Sequence, residues 1–308
     1  MPLAPLFADR LHFFTDLPMM DALEKFNAPL TEYQSPPLAI EELSVKYHEG
    51  NVPVLVYRPL QVAEALPVLI WMHGGGFRHG TYKMTEGDVV AREMAHRAGI
   101  MVINVEYRLV TEEVKFPAPQ NDCMAVLDWV VKNAKRLGVD KDNIFVGGIS
   151  AGGCLAAAMA VADRDNGNHF IKAQLLNCSV LHKALPPLSE ELQVKIDEIN
   201  GFGLNAKMID ETREFAVGGN VAAAPNEWWA GELEDLTGLP PAQIINCEYD
   251  ALRASGEKFA KQLQVAGIDH ELITQAGVPH AHLNRFPGDC KEVSETLDEM
   301  VRYIKSFG

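Results

Sequence analysis

The sequence is poor in positive charge. Its 308 residues carry 27 Lys and Arg against 42 Asp and Glu, a formal net charge of −15. No Lys/Arg cluster interrupts that balance, so neither nucleic acid nor a membrane is expected as a partner. Long hydrophobic runs are missing: no apolar stretch reaches the roughly 18 residues that span a bilayer. The opening residues, Met1-Pro-Leu-Ala-Pro, have no basic region leading into an apolar core. No secretory leader is therefore expected, and the expected location is cytoplasmic. Cysteine is scarce. Cys123, Cys154, Cys178, Cys247 and Cys290 are odd in number, scattered, and form no C-x-x-C pair. That argues against a disulfide frame or a zinc site and for buried thiols in a reducing compartment. Internal repeats and low-complexity linkers are absent as well.

What is present is core material. Hydrophobic residues make up 47% of the chain, and its length suits one large α/β domain or two modest ones. Residues 1–38 are Pro-rich with patches of Leu, Phe and Met, which predicts short helices joined by turns. Leu43–His48 and Val52–Tyr57 read as paired strands around a Glu49-Gly50-Asn51 turn. Pro67–Met72 and Ile100–Val105 are continuous apolar runs, as in strands covered on both faces. Asn143–Val146, Ala173–Leu176, Gln243–Cys247 and Glu271–Thr274 predict further strands. Helices are predicted over Gly87–Arg97, Ala118–Leu137, Ala151–Ala162, Arg253–Ala266 and Glu292–Ile304. In Ala118–Leu137, the residues Val126, Trp129, Val130, Ala134 and Leu137 recur at helical spacing. Strands alternating with helices argue for an α/β fold, a mostly parallel central sheet flanked by helices. Residues 183–236 break the rhythm. They are polar, helical in flavour and without a clear strand, as an insertion would be.

The chemistry is carried by short motifs. In FVGGISAGG, Phe145–Gly153, a predicted strand runs into glycines around one serine and then into a helix. A strand–Gly-x-Ser-x-Gly–helix turn is so sharp that its two arms nearly touch, hence Gly148 and Gly152 around Ser150. The hydroxyl is held above the sheet edge, at the positive end of a helix. The plainer reading is a glycine turn closing a βα unit, with Ser150 as helix cap. A second motif weighs against that. His73-Gly74-Gly75-Gly76-Phe77 follows a strand, and three glycines let backbone N–H groups approach a ligand. Gly75, Gly76 and Ala151 would supply the donors of an oxyanion hole. His73 reads as a brace for the loop.

A nucleophilic serine needs a base and a group to orient it. In an α/β-hydrolase the chain order is Ser, then Asp or Glu, then His. Asp250 follows the strand Gln243–Cys247, with Glu248 as the alternative acid and helix capping as its other role. His280 follows the strand Glu271–Thr274, with His282 as its rival.

With these residues assembled, the chain resembles the hormone-sensitive-lipase-like branch of the α/β-hydrolases, the bacterial carboxylesterases. HGGGF at 73–77, YRL at 107–109, FPAPQNDC at 116–123, GGISAGG at 147–153, EYDALR at 248–253 and GVPH at 277–280 fall in the family's order. The resemblance covers roughly residues 40–308 and implies the α/β-hydrolase fold with a helical cap. It implies cap pieces at 1–38 and 183–236, and a catalytic domain in two parts, 39–182 and 237–308. It also implies hydrolysis of small carboxylic esters, with no metal and no organic cofactor. Three departures bear on subfamily and acyl pocket. Ile149 precedes the serine, YRLVTEEVKFPAPQ lacks the usual Ala-Pro-Glu, and His282 replaces an aromatic residue.

The expected partner is a small ester of short acyl or aryl type; self-association is left open. An amidase or peptidase would use the same triad. A non-catalytic binding protein on this scaffold would need the pocket but not the base.

Overall fold

A computed structural model describes residues 1–17, 19–60, 65–199 and 206–308. Parts of the two segments expected to form a cap, at 18 and 200–205, lie outside the described residues. Eight strands form one sheet: β1 (Leu38–Tyr47), β2 (Gly50–Pro59), β3 (Leu66–Met72), β4 (Met101–Val105), β5 (Val139–Ile149), β6 (Ile171–Asn177), β7 (Ala242–Tyr249) and β8 (His270–Pro279). Their order across the sheet is β1-β2-β4-β3-β5-β6-β7-β8. The pairs β1–β2 and β2–β4 are antiparallel, and every pair from β4 to β8 is parallel.

The strands are buried on both faces because helices cover both faces. Along β3, Val68, Ile70 and Met72 join one core, while Leu69 and Trp71 join the other. This two-residue alternation turns a continuous apolar run into two packed layers. The first core is closed by helices α5 (Ala118–Leu137), α6 (Ala151–Asp165) and α9 (Arg253–Val265). The second is closed by α4 (Thr85–Ala98) and α10 (Lys291–Lys305). Each aliphatic side chain sealed in this way stabilises the fold by about 1.5–3 kcal/mol.

Two segments stand outside that sandwich. The first opens the chain, with α1 (Pro5–Ala8), α2 (Phe13–Asp16) and α3 (Met19–Asn27). Phe7 and Phe26 from it join the second core, and the buried Arg285 guanidinium lies over both rings. The second follows β6. It holds α7 (Glu190–Glu198) and α8 (Ala206–Val217), then three short 3₁₀ turns, and no strand among its described residues. Ser189 caps α7, its hydroxyl accepting from the Leu192 N–H.

Several strands run longer than their apolar signal. β5 starts at Val139, through the polar Asp140-Lys141-Asp142. Leu66 pairs with Val139 and Val68 with Ile144, so a register shift lies between them. β8 extends to Pro279, and β1 starts at Leu38. The β1–β2 turn is tighter than the sequence suggests. Tyr47 pairs with Gly50, leaving His48 and Glu49 as the loop.

Candidate active site

The carboxyl ends of β3, β5, β7 and β8 converge on one spot. Ser150 sits between β5 and α6 with φ +56° and ψ −113°, a left-handed conformation that costs a non-glycine residue about 1–3 kcal/mol. Its surroundings hold it there. Its N–H donates to the Asn177 carbonyl at 2.9 Å, and its carbonyl accepts from Cys154. A Cβ on Gly148 would strike the Gly152 backbone, and one on Gly152 would strike the Met72 and His73 carbonyls. The glycines are there because β3, β5 and α6 pass at backbone contact.

The Ser150 hydroxyl donates to His280 Nε2 at 3.1 Å, and His280 Nδ1–H donates to Asp250 Oδ2 at 2.6 Å. The other Asp250 oxygen accepts from the Leu252 N–H at 2.9 Å, just ahead of α9. Asp250 thus both fixes the backbone and orients the imidazole. Ser150 and Asp250 are buried, and the His280 side chain keeps 14% exposure. Burial works against a charged imidazole, but the Asp250 carboxylate outweighs it and holds the His280 pKa well above its ordinary value.

The two alternatives are placed elsewhere. His282 is buried, with Nδ1 3.3 Å from Cys247 Sγ and Nε2 2.8 Å from Thr296 Oγ1. Burial pushes its pKa down to about 4. Glu248 accepts from the Met1 ammonium at 2.8 Å and from the Gly277 N–H at 2.6 Å, with Lys195 Nζ at 3.4 Å.

Gly75 and Gly76 lie in the turn after β3 with φ +106° and +59°. No carbonyl or side chain among the described residues accepts from the N–H of Gly75, Gly76 or Ala151. Ala151 directly follows Ser150, and Gly75 and Gly76 continue from Gly74, whose Cβ would stand 3.4 Å from Ser150 Cβ; unengaged donors so placed suit an oxygen that gains negative charge. His73 stacks on Tyr107 with ring centroids 4.4 Å apart, and the Tyr107 hydroxyl donates to the His73 carbonyl at 2.8 Å. Burial lowers the His73 pKa to about 4, which leaves a neutral ring as the brace under the glycines.

Two site residues carried no sequence signal. Glu86, in the first turn of α4, accepts from the Gly74 N–H at 2.6 Å. Asn284 donates to the same carboxylate at 2.6 Å. An acidic residue in a helix's first turn is too common to single out.

Cys178, Cys247 and Asp250 offer three ligand atoms within 4.8 Å of one another. Burial raises the Cys178 thiol pKa well above its ordinary value. Asp250 is already engaged by His280, so the set does not form a ready metal site.

Residues 69–284 match a family described by the alpha/beta hydrolase fold. Carboxylesterase NlhH of Mycobacterium tuberculosis is 36% identical over 277 residues, covering 86% of this chain and 83% of that protein. The ethyl acetate hydrolase of Pseudomonas putida is 28% identical over 290 residues, covering 92% and 87%. Among solved structures, a hyperthermophilic esterase from the archaeon Pyrobaculum calidifontis superposes with a TM-score of 0.86 at 30% identity. That match covers 100% of this chain and 99% of that one.

Proposed function

We propose that this chain, which belongs to the α/β-hydrolase family of carboxylesterases, hydrolyses small carboxylic esters through an acyl-enzyme on Ser150. The observation that carries the proposal is the unbroken hydrogen-bond chain Ser150–His280–Asp250, at 3.1 and 2.6 Å; the N–H groups of Gly75, Gly76 and Ala151, without an acceptor among the described residues, support it. His280 takes the hydroxyl proton as Ser150 Oγ attacks the ester carbonyl carbon. The carbonyl oxygen becomes an oxyanion held by the three N–H groups. Asp250 keeps the Nδ1–H tautomer and stabilises the imidazolium. The imidazolium then protonates the departing alcohol. Water, deprotonated by His280, attacks the acyl carbon; the acyl–Oγ bond then breaks, His280 returns the proton to Ser150 Oγ, and the acid leaves.

Residues 1–38 and 183–236 act in this reading as a two-piece cap, with 39–182 and 237–308 as the catalytic domain. In support, Thr212 of α8 faces the oxyanion turn: a Cβ on Gly76 would lie 3.1 Å from its methyl group. Phe215 of α8 takes Arg78 at 3.9 Å and Lys115 at 3.5 Å over its ring. Small esters fit the named reaction of the Pseudomonas putida relative, ethyl acetate hydrolysis. Among the described residues no helix is long and apolar enough to cross a membrane. The five cysteines are free and buried, which suits a cytoplasmic location.

The test is a serine-directed organophosphonate with Ser150→Ala beside the wild type. Labelling is expected at Ser150 alone. The variant should fold and lose roughly 10⁴-fold or more in kcat on p-nitrophenyl acetate. Turnover retained by the variant would exclude Ser150 as nucleophile. Labelling of the wild type without ester turnover would favour a binding protein, and faster cleavage of a matched anilide an amidase.

A further inference from the structure

Glu86 is 2% exposed and has no Lys, Arg or His within ion-pair distance among the described residues. A carboxylate so deeply buried is ordinarily paired with a cation. Here its partners are neutral donors. Oε1 accepts from the Gly74 N–H and Oε2 from Asn284 Nδ2, both at 2.6 Å. The backbone of the same residue is also held. Its N–H donates to Asn284 Oδ1 at 3.4 Å, and its carbonyl accepts from Trp71 Nε1 at 2.8 Å. A Cβ on Gly74 would stand 2.7 Å from Glu86 Oε1 and 3.4 Å from Ser150 Cβ, so the carboxylate and the serine both pack against Gly74.

The two partners belong to different parts of the site. Gly74 leads into Gly75 and Gly76 at the end of β3. Asn284 closes the 3₁₀ turn His282–Asn284, joined to His280 through Ala281. In the sheet, β5, β6 and β7 separate β3 from β8, so no ladder ties these loops together. We infer that Glu86 is a positioning residue for ester cleavage, holding the oxyanion turn and the His280 loop in register through Gly74 and Asn284. The inference rests on the reading of Ser150, His280 and the glycine N–H groups given above. Acyl transfer needs both loops at once, since one supplies the donors and the other the base. A misplacement of about 1 Å between such groups costs on the order of 100-fold in rate.

The donor–acceptor pattern supplies a test that simple loss of packing would not pass. Both partners donate, and the Glu86 N–H on Oδ1 sets which way the Asn284 amide faces, so only a carboxylate satisfies all three contacts. An amide at position 86 satisfies one of the two donors. In Glu86→Gln, kcat on p-nitrophenyl acetate per phosphonate-titrated site should fall roughly 10- to 100-fold, with KM within about threefold. In the double variant Glu86→Gln/Asn284→Asp the pattern is reversed but complete. The new amide oxygen accepts from Gly74, its NH₂ donates to the new carboxylate, and that carboxylate accepts from the residue-86 N–H. The double variant should recover at least about tenfold in kcat over Glu86→Gln. An unchanged kcat in the folded single variant would overturn the inference, as would a loss that the double variant leaves unrepaired. If the single variant does not fold, the double variant decides: kcat within about 30-fold of wild type supports the inference, and a lower value overturns it. Ser150→Ala, run in parallel, separates the two readings. A dead Ser150→Ala beside a fully active Glu86→Gln removes Glu86 alone; an active Ser150→Ala removes the nucleophile and this inference with it.

Discussion

The strand ends that carry Ser150, Asp250 and His280 differ in construction from the helical stretch after β6. At the strand ends, side chains are buried and backbone groups are fixed from several sides. Ser150 alone is held through its N–H, its carbonyl and its hydroxyl. In α7 and α8 the buried stripe is narrow, with Leu192 and Ile196 in one and Ile209, Arg213 and Ala216 in the other. Val194 is 56% exposed, and the Lys207–Glu211 pair stands in solvent. Such exposed pairs contribute little to stability. Reaction geometry tolerates errors of only fractions of an ångström, so it belongs on the sheet. In the proposed reading α7 and α8 shape the space above it, and their broad exposed faces can vary without loss of the fold.

Two histidines that are near neighbours in sequence should differ most in their effect on catalysis. His280→Ala should lower kcat by roughly 10⁴-fold or more, as triad members act as a unit. His282→Ala removes contacts to Cys247 and Thr296 but no reacting group. Its kcat should stay within about tenfold of wild type, with the effect appearing as a lower Tm. Steady-state kinetics and thermal melts on both variants give the ranking, and the reverse order would move the base to His282.

The next effect is a shift along the pH axis. The base must be neutral to accept the Ser150 proton. The Asp250 carboxylate raises the His280 pKa, so the acid limb of kcat/KM should lie above the ordinary histidine value near 6.5. Activity is present above that limb and is lost as pH falls through it. Asp250→Asn removes the charge, so the His280 pKa should fall. NMR titration of the His280 ring in both proteins measures this directly. An unshifted titration would mean that Asp250 orients the ring without tuning it.

How much of this was legible in the sequence follows the same division. The apolar runs of β3 and β4 were visible because strands covered on both faces need no polar residue. The helix Ala118–Leu137 has the expected bounds, its buried residues repeating at helical spacing. The polar start of β5 was not visible, since exposed strand ends lack apolar alternation. Ser150 and the glycines around it were legible because a contorted backbone restricts residue type locally. The Glu86–Asn284 contact spans 198 positions and uses residue types that occur anywhere. No local pattern encodes such a meeting. The path of 183–236 was equally opaque, because short amphipathic helices do not declare which surface they face.

Chain-length selectivity probes that segment. Thr212 of α8 stands over the oxyanion turn, and its methyl group lies where a Gly76 side chain would point. If α8 limits the space for the acyl tail, the wild type should prefer short p-nitrophenyl esters. Each added CH₂ contributes about 0.8 kcal/mol while there is room, so kcat/KM first rises with chain length. Past the end of the pocket the trend reverses, because overpacking costs about 1–3 kcal/mol. Thr212→Phe brings that end closer without replacing Ser150, His280 or a residue that supplies an N–H donor. For the acetate ester, kcat/KM should change by less than about threefold. For esters at and beyond the wild-type optimum it should fall by roughly five- to 100-fold, moving the maximum to shorter chains. The measurement is a series from acetate to palmitate below the micellar range. An unmoved maximum would detach α8 from the acyl pocket. An equal loss on every ester, acetate included, would mean that this segment also sets the reaction geometry, and the division between rigid chemistry and adjustable selection would not hold.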